Sequence, residues 1–584
     1  MKKTLPTLLF TLVAVVVHAQ PPDTSQVINV NRLNGTIIFD GMPDEDAWDA
    51  IEPFPFTMHL PDFGKPPTEQ TDVRMTFDDR YIYLGAALYD GNPRKIQVTT
   101  KKRDAMVGDS DWLGLILDSF NDKENGLSFW TTPAGLRTDV AVYNDANVDP
   151  YGNLSINKDW NTFWDVKTRI TDQGWFAEMR IPVSSLRFQK NDDPVIMGLI
   201  VNRFIPRLNE YYTFPPISNA FESGPWKVSK SHAVAFPGLR SKKPLYITPY
   251  VLAGFTEHCD LNEEETEYCY GNEKELTAGL DVKYGITNNL TMDLTLNTDF
   301  AQVEADDEMV NLTRFSLFFP EKRQFFLERS AIMDFNTGGQ TTMFYSRRIG
   351  LDEDHNPVPI IGGARLIGRK GPWDIGFLNM QTGKSENLPS ENFGVLRLKR
   401  QVFNENSYVG NVVTSRLGTD GSYNLAYGFD GLFRVTGEEY LKLVWGQTFE
   451  EGGANNPFTI GNVRYVLNWQ RRRNSGFYYD LYLTGAGKDY NPGIGYMSRY
   501  DFNVMAPYLN YTWIMDEHSS IQRHGFQSGS YAFFSQSKNI LESGLTGISY
   551  RLFFKNMWSV VADINYNYEH LFEPFELSDK AIIP

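Results

Sequence analysis

The sequence predicts an all-β protein in which a β-sandwich precedes an antiparallel transmembrane β-barrel. Three observations predict this fold class. A secretion signal opens the chain, short stretches of alternating polar and apolar residues run from about residue 245 onward, and aromatic residues make up 14% of the sequence. Alternation with a period of two places one set of side chains on each face of a strand. A row of such hairpins behind a secretion signal favours a barrel with one face toward lipid and the other toward water.

Residues 1–19 have the pattern of a secretory signal peptide. Lys2 and Lys3 supply positive charge, residues 4–17 are apolar, and Ala19 ends a small-residue cleavage site. The run is too short for a permanent transmembrane helix, and no later segment approaches the roughly 20 consecutive apolar residues that such a helix needs. A secreted soluble β protein is the alternative on pattern alone.

Charge and composition limit the kinds of partner and environment that the protein can have. The net charge of -17 at pH 7 argues against a nucleic-acid partner, because phosphate binding needs a basic surface. The 40 Phe, 30 Tyr and 12 Trp suit aromatic girdles, so outer-membrane lipid is the expected environment. The two cysteines, Cys259 and Cys269, lie in one acidic segment, and a loop-closing disulfide is the simplest interpretation in an oxidising compartment.

Residues 20–240 are predicted to form the β-sandwich. Strand-like runs such as 73–77 and 175–181 recur between turns rich in Asp, Gly, Asn and Pro, with little helical periodicity. A basic, proline-containing link at 236–244 leads into the predicted barrel, which occupies residues 241–584.

Several motifs of this first domain are distinctive. They are Asp40-Gly41 with Asp44, Glu45 and Trp48; Asp111 to Asp118; Pro133 and Gly135 with Asp139; and the run from Gly174 and Trp175 through Glu178, Ile181 and Pro182 to Phe188. Together they resemble a family 9 carbohydrate-binding module. The resemblance covers most of residues 28–190. It implies a β-sandwich that holds an oligo- or polysaccharide between aromatic faces, with calcium as the ion that braces the fold.

Sugar rings present C–H groups to aromatic faces, while their hydroxyls take polar partners. The candidate ligand-binding residues are therefore tryptophans of this domain with charged neighbours: Trp112, Trp130, Trp160, Trp164, Arg103, Asp111 and Arg137. Burial in a core is the commoner fate of a tryptophan in a strand, and Trp48 and Trp175 are interpreted as core residues.

A weak candidate for a metal site follows in the same domain. Asp145, Asn147 and Asp149 alternate oxygen ligands like a calcium loop. The next glycine comes two residues later than in an EF-hand, and the distal glutamate is missing. A solvated acidic loop is the competing interpretation.

Turn lengths predict the orientation of the barrel, since membrane barrels have short periplasmic turns and longer outer loops. Short turns are expected at 287–289, 369–372, 404–406, 436–439, 472–475 and 555–556, with longer links at 383–391, 450–457 and 487–497. If the first domain is periplasmic, residues 300–357 form one excursion from the outer side. A loop of that length is expected to fold into the lumen as a plug.

The predicted lumen insert contains the densest motif of the chain. Acidic, basic and amide residues lie there beside aromatic residues: Asp299, Gln302, Glu304, Asp306, Glu321, Lys322, Arg323, Glu328, Arg347 and Arg348. They suit a polar interior in which opposite charges satisfy each other, and a structural lid without a ligand is an equal alternative. The motif resembles a family of bacterial outer-membrane proteins known as domain of unknown function 5916. That resemblance implies a family 9-like module joined to a barrel in this order, and no particular activity.

The pattern gives about 15 strands, whereas membrane barrels normally close with an even number. The last predicted strand, 557–568, precedes a tail without a terminal aromatic strand. We therefore expect a barrel that is truncated at the C-terminus.

The sequence predicts no catalytic residue. Its eight histidines show no metal-like spacing, and no serine-nucleophile motif occurs. The leading hypothesis is an outer-membrane protein whose periplasmic module binds glycan for capture or uptake. The alternatives are a hydrolase of O-glycosyl bonds with an appended module, and an envelope structural or assembly protein that holds another protein.

Overall fold

The computed structural model describes most of the chain beyond the predicted signal peptide. The described residues are 27–105, 108–148, 154–158, 160–186, 188, 193–221, 223–240, 245–261, 266–287, 289–298, 308–310, 316–327, 329–338, 341–352, 357–385, 388–404, 406–453, 455–473, 475–570, 575–578 and 581–583. The predicted signal peptide lies outside them. Strands dominate throughout, so the chain is all-β as predicted.

The amino-terminal domain is a sandwich of two sheets. The first sheet has nine strands: seven lie side by side in the order β1-β13-β11-β5-β6-β7-β8, and β12 pairs with both β11 and β2. The second sheet has four strands, in the order β3-β4-β10-β9. The strands are β1 (Ile28–Asn29), β2 (Thr57–Leu60), β3 (Thr71–Phe77), β4 (Tyr81–Tyr89), β5 (Trp112–Asp118), β6 (Gly126–Thr131), β7 (Thr138–Val142), β8 (Ile156–Asn157), β9 (Asp165–Ile170), β10 (Gly174–Pro182), β11 (Val195–Ile205), β12 (Glu210–Phe214) and β13 (His232–Phe236), and one short helix is α1 (Asp46–Asp49).

Alternate residues of both sheets point inward and form one hydrophobic core. Trp175 of β10 is fully buried in this core, as the sequence predicts. Trp48 of α1 is also buried, but it lies on the other face of the four-stranded sheet. A Cβ on Gly85 would come within 2.9 Å of the Trp48 ring, so the glycine makes room for it.

The most specific part of the carbohydrate-module motif has a structural role. Glu178 of β10 accepts hydrogen bonds from the backbone N–H groups of Asp40 and Gly41, each at 2.8 Å. Gly41 has a φ of 95°, and a Cβ there would lie 3.0 Å from the backbone of Thr168. Only glycine adopts this conformation without strain. The glutamate and the glycine together fix the segment that leads into α1.

The second domain contains one large antiparallel sheet of fifteen described strands, each paired with the next along the chain. They are β14 (Leu245–Leu261), β15 (Tyr268–Gly285), β16 (Leu290–Thr298), β17 (Ile360–Lys370), β18 (Trp373–Thr382), β19 (Glu391–Gln401), β20 (Tyr408–Gly418), β21 (Tyr423–Thr436), β22 (Glu439–Glu450), β23 (Val463–Arg471), β24 (Gly476–Ala486), β25 (Phe502–Ile514), β26 (Ile521–Ser535), β27 (Leu541–Phe554) and β28 (Ser559–Glu569). A separate ribbon pairs β29 (Phe575–Ser578) with β30 (Ala581–Ile583).

The large sheet matches the predicted strand count. No ladder joins β14 to β28 among the described residues, so the described strands form an open sheet and not a closed barrel. Within the described ranges, no helix has the length and apolar character that crossing a bilayer requires.

The two faces of the large sheet have different surroundings. Register places Leu443, Leu467, Leu483 and Met505 opposite one another in a row across four strands, and each is at least 40% exposed. The neighbouring row contains Val444, Val466, Thr484 and Val504, which are all buried. We call the first face outer and the second inner. The outer face is apolar and open, and the inner face is covered.

The segment between β16 and β17 covers the inner face. Its helices are α2 (Gln324–Leu327) and α3 (Ser330–Met333). Phe326, Met333, Phe335 and Met343 of this segment form a hydrophobic core with inner-face residues such as Val444. The described part of the predicted insert therefore packs on the inner face. The interior, however, is not only polar, because much of the contact is apolar packing.

Candidate functional site

The amino-terminal domain contacts the end of the large sheet at which the short turns lie. Those turns follow β15, β17, β19, β21, β23, β25 and β27, and we call this end the short-turn end. Ion pairs cross the contact at three separate turns: Asp122 to Arg369 at 2.8 Å, Lys230 to Glu438 at 2.9 Å, and Asp62 to Lys555 at 2.5 Å. Because the three turns are well separated in the sheet, the domain spans this end and does not touch only one edge.

The hairpin between β5 and β6, residues 118–125, makes one of these contacts, and we call it the docking hairpin. The buried carboxylate of Asp118 accepts from the backbone N–H of Asp122 at 3.0 Å and of Lys123 at 2.9 Å. These bonds fix the backbone of the hairpin. Asp122 then reaches Arg369 of the large sheet, which also binds Asp374.

Burial and the neighbouring groups shift the pKa values of the two acids of the docking hairpin in different directions. Burial would raise the pKa of Asp122, but the positive charge of Arg369, together with hydrogen bonds from Asn125 and from the backbone N–H of Glu124, holds the pKa below its ordinary value. Burial, and then the neighbouring charge of Asp122, raise the pKa of Asp118 to about 8. Asp122 therefore carries the negative charge of this pair at neutral pH.

A small cavity lies between the docking hairpin and the large sheet. Its volume is about 40 Å³, and Asp122, Glu124, Arg369, Lys399 and Tyr408 are among its lining residues. This is room for about one water molecule. One carboxylate oxygen of Glu124 is buried without a hydrogen-bond partner among the described residues. The contact between the domains is therefore polar and closely packed.

Five aromatic rings form a cluster on the nine-stranded sheet, at the strand ends farthest from the docking hairpin. The Trp112 ring lies 4.2 Å from that of Trp130, 4.9 Å from that of Tyr211 and 5.7 Å from that of Phe204, measured between centroids. Trp226 stacks on Trp130 at 4.6 Å. Trp112 is only partly buried, whereas Trp130 is buried. Partly exposed rings held in fixed positions can pack against a sugar ring.

The other two predicted sugar-binding tryptophans lie elsewhere. Trp160 and Trp164 are buried in the sandwich core, where both rings meet Phe129 edge to face. They are not available to a ligand, because burial against the second sheet takes up their faces. The sequence places a tryptophan on a strand or loop but does not show which face the other sheet covers.

The predicted polar partners do not join the aromatic cluster as a set. Arg103 pairs with Asp139 at 2.7 Å, and Arg137 donates to the backbone carbonyl of Trp164 at 3.0 Å. Asp111 is buried beside Trp112 in sequence and accepts from the backbone N–H of Gln97 at 2.8 Å. Burial raises the pKa of Asp111 to about 6. Of the predicted polar residues, only Asp111 is adjacent to a cluster residue in the chain, and its side chain is buried.

The candidate calcium loop does not fit a cation. The carboxylate of Asp145 accepts from the Lys227 ammonium at 2.7 Å and from the backbone and hydroxyl of Ser229. A lysine ammonium occupies the position that a cation would need. Asn147 donates to Gln470 of the large sheet, and Asp149 lies outside the described residues. No group of three or more metal-binding side chains occurs in the part of the chain that the structure describes.

The insert is held by one of its predicted charged residues. Arg323 binds the carboxylate of Glu321 and donates to the backbone carbonyls of Ser346 at 2.6 Å and Ile349 at 2.7 Å. Arg347 donates to the carbonyl of Pro320 at 2.9 Å. These bonds join the two ends of the insert, so this part of the motif has a structural role.

Two further predicted residues of the motif make hydrogen bonds to neighbouring groups. Arg348 donates to the carbonyl of Gly495 at 3.3 Å, and Lys322 donates through its backbone N–H to Glu321 at 3.1 Å. The other predicted residues of the insert lie outside the described residues: Asp299, Gln302, Glu304, Asp306 and Glu328.

The predicted disulfide would join β14 to β15. Cys259 is an exposed free cysteine. The register of β14 and β15 places Cys259 opposite Tyr270, and Cys269 opposite Asp260. The two cysteines are therefore offset by one residue and are not a directly facing pair. Their pairing stays a prediction for the oxidised protein.

Two features of the site were missed from the sequence. Tyr211, Phe204 and Trp226 complete the aromatic cluster, although strand alternation on β11 and β12 offered only a general signal for Phe204 and Tyr211.

The predicted outer loop at 487–497 also folds inward. Tyr496 and Thr342 of the insert exchange backbone hydrogen bonds at 2.9 and 3.1 Å. This loop therefore covers the inner face together with the insert.

Comparison with known proteins gives one family and several distant structures. The family described as "Domain of unknown function (DUF5916)" matches residues 243–359. A search of curated proteins found no similar sequence. A "putative carbohydrate-binding protein" from Bacteroides uniformis is 13% identical, covering 36% of this chain and 99% of that one, with a TM-score of 0.27.

Two further solved structures are similar over a larger share of the chain. Pseudomonas aeruginosa OccK7 is 8% identical over 76% of this chain and 87% of its own, with a TM-score of 0.24. Acinetobacter baumannii OccAB2 is 7% identical over 78% and 91%, with a TM-score of 0.25. These values are too low to carry an argument about function.

Proposed function

We propose that this protein lies in the outer membrane and binds oligo- or polysaccharide through its amino-terminal domain. The single observation that carries the membrane assignment is the outer face of the large sheet. Large apolar side chains that are each at least 39% exposed follow one another across neighbouring strands: Leu443, Trp445, Leu467, Trp469, Leu481, Leu483, Met505 and Leu509. A continuous apolar surface of this kind costs free energy in water and is stable against lipid.

The turn lengths support a periplasmic position for the amino-terminal domain. This domain contacts the short-turn end, through residues such as Arg369, Glu438 and Lys555. Short turns of membrane barrels lie on the periplasmic side. The domain would then cover the periplasmic mouth, while the longer links face outward.

The covered inner face favours capture or gated uptake over free diffusion. The insert packs into a hydrophobic core with the inner face, and the 487–501 segment is hydrogen-bonded to it. Passage of a solute along this face requires the insert to move. An unobstructed pore is not what this packing supports.

The aromatic cluster is the position at which we propose that sugar binds. Of the four predicted tryptophans, Trp112 alone is not fully buried, and Tyr211 and Phe204 lie beside it. Rings that are already held by neighbours lose little conformational entropy when a sugar packs on them.

Glycan binding is tested with the full-length protein in lipid nanodiscs. A glycan array identifies a ligand, and calorimetry compares the wild type with Trp112→Ala. We expect the substitution to weaken binding about fivefold, which corresponds to ~1 kcal/mol of lost aromatic contact.

Phe163→Ala is the matched control, because Phe163 is a 76% exposed aromatic residue of the same domain outside the cluster. It should leave the affinity unchanged. The proposal fails if no oligosaccharide binds, or if the two substitutions weaken binding equally.

A further inference from the structure

The docking hairpin contacts the insert as well as the turn of the large sheet. The ring of Phe120, at the tip of the hairpin, lies 5.1 Å from the guanidinium of Arg329 and 5.3 Å from that of Arg369. Arg329 belongs to the insert, and Arg369 belongs to β17. One aromatic ring of the amino-terminal domain therefore lies between a cation of the insert and a cation of the sheet.

Hydrogen bonds link the same two arginines. The backbone carbonyl of Asn289, in the turn after β15, accepts from a guanidinium nitrogen of Arg329 at 2.5 Å and from the backbone N–H of Arg369 at 2.9 Å. Arg369 in turn binds Asp122 of the docking hairpin. These contacts form a closed circuit through the hairpin, the insert and two turns.

Arg329 connects this circuit to the interior of the insert. It directly precedes α3 and has a φ of 54°, a left-handed conformation that is strained for arginine. Met333, the last residue of α3, packs against the inner face at Gly376, where a Cβ would lie 2.3 Å from the methionine sulphur. Arg329 therefore lies one helical turn from a residue of the insert's hydrophobic core.

We propose that the docking hairpin couples the position of the amino-terminal domain to the packing of the insert. While the domain is docked, Phe120 and Asp122 hold Arg329 and Arg369 in place, and α3 stays packed on the inner face. Displacement of the domain removes the Phe120 contact and loosens α3. This coupling concerns contacts within the chain and does not depend on what the domain binds.

Hydrogen–deuterium exchange of the full-length protein in nanodiscs tests the coupling. Phe120→Ala and Phe120→Leu both remove the aromatic face, and the leucine variant keeps most of the apolar volume. We expect each to raise exchange at residues 329–334 at least fivefold. By reciprocity, Arg329→Gln should raise exchange in residues 118–125.

Lys230→Met is the matched control. It removes the ion pair with Glu438, which also joins the two domains but lies at the turn after β21. It should change exchange at residues 329–334 by less than twofold. The inference is overturned if neither Phe120 variant affects that segment, or if Lys230→Met affects it equally. Circular dichroism confirms that each variant is folded.

Discussion

Glu124 in the docking hairpin should make the protein less stable as the pH rises. Its carboxylate lines the cavity against the large sheet, and one oxygen has no hydrogen-bond partner among the described residues. Burial disfavours the charged form and raises the pKa of Glu124 to about 7, although the charge of Arg472 opposes this. The folded protein therefore favours the neutral acid.

The magnitude follows from the two pKa values. The ordinary pKa of glutamate is 4.5, against about 7 in the fold. At 1.36 kcal/mol for each pKa unit, full ionisation costs about 3 kcal/mol. Because the folded-state pKa is raised, the favourable contribution is complete below pH 4.5. It declines as the pH rises toward 7, and it is lost above that value.

Thermal unfolding at pH 5 and pH 8.5 measures this effect in the wild type and in Glu124→Gln. The amide cannot ionise, so the variant should gain about 2.5 kcal/mol relative to the wild type between the two pH values, because a part of the effect is already lost at pH 5. For a domain of this size, that corresponds to roughly 5–10 °C in Tm. Glu52→Gln, at an exposed acid of the same domain, should show no such difference. Equal pH dependence of the wild type and Glu124→Gln would refute the reasoning.

Two further predictions concern the insert and the acid side of the pH range. Arg323→Met removes charged hydrogen bonds to Glu321 and to two backbone carbonyls. It should therefore destabilise the insert by about 2–4 kcal/mol and raise hydrogen exchange at residues 341–350. Unchanged exchange in that segment would contradict this prediction. Burial lowers the pKa of His59 to about 4, so its contribution to stability is complete above pH 6.5 and is lost as the pH falls toward 4. His59→Gln should therefore flatten the loss of stability over that window in a pH series of unfolding experiments, and an unchanged slope would count against it.

The sequence predicted those parts of the fold that depend on local pattern. Period-two alternation and turn residues located the hairpins of the large sheet, because both signals arise within a few neighbouring residues. The short turns at 369–372 and 436–439 lie where the pattern places them. Trp175 could be assigned to the core because it lies in a strand between turns.

The parts that depend on packing between distant segments could not be predicted in this way. Trp160 and Trp164 are as aromatic as Trp112, and only the position of the opposite sheet decides which of them stays accessible. The apolar packing of Met333 and Met343 on the inner face was hidden beneath a charge-rich motif. Contacts such as Asp122 to Arg369 join residues 247 positions apart, and no local pattern encodes them.

The most direct test of the central assignment measures what surrounds the outer face of the large sheet. A spin label at Leu467→Cys, in a background without Cys259 and Cys269, reports collisions with oxygen, which concentrates in lipid, and with a water-soluble nickel complex. In liposomes, the label should collide mainly with oxygen, whereas a label at Ser475→Cys in the short turn should collide mainly with nickel. If Leu467→Cys collides with nickel as readily as Ser475→Cys does, the outer face lies in water and the membrane assignment is wrong.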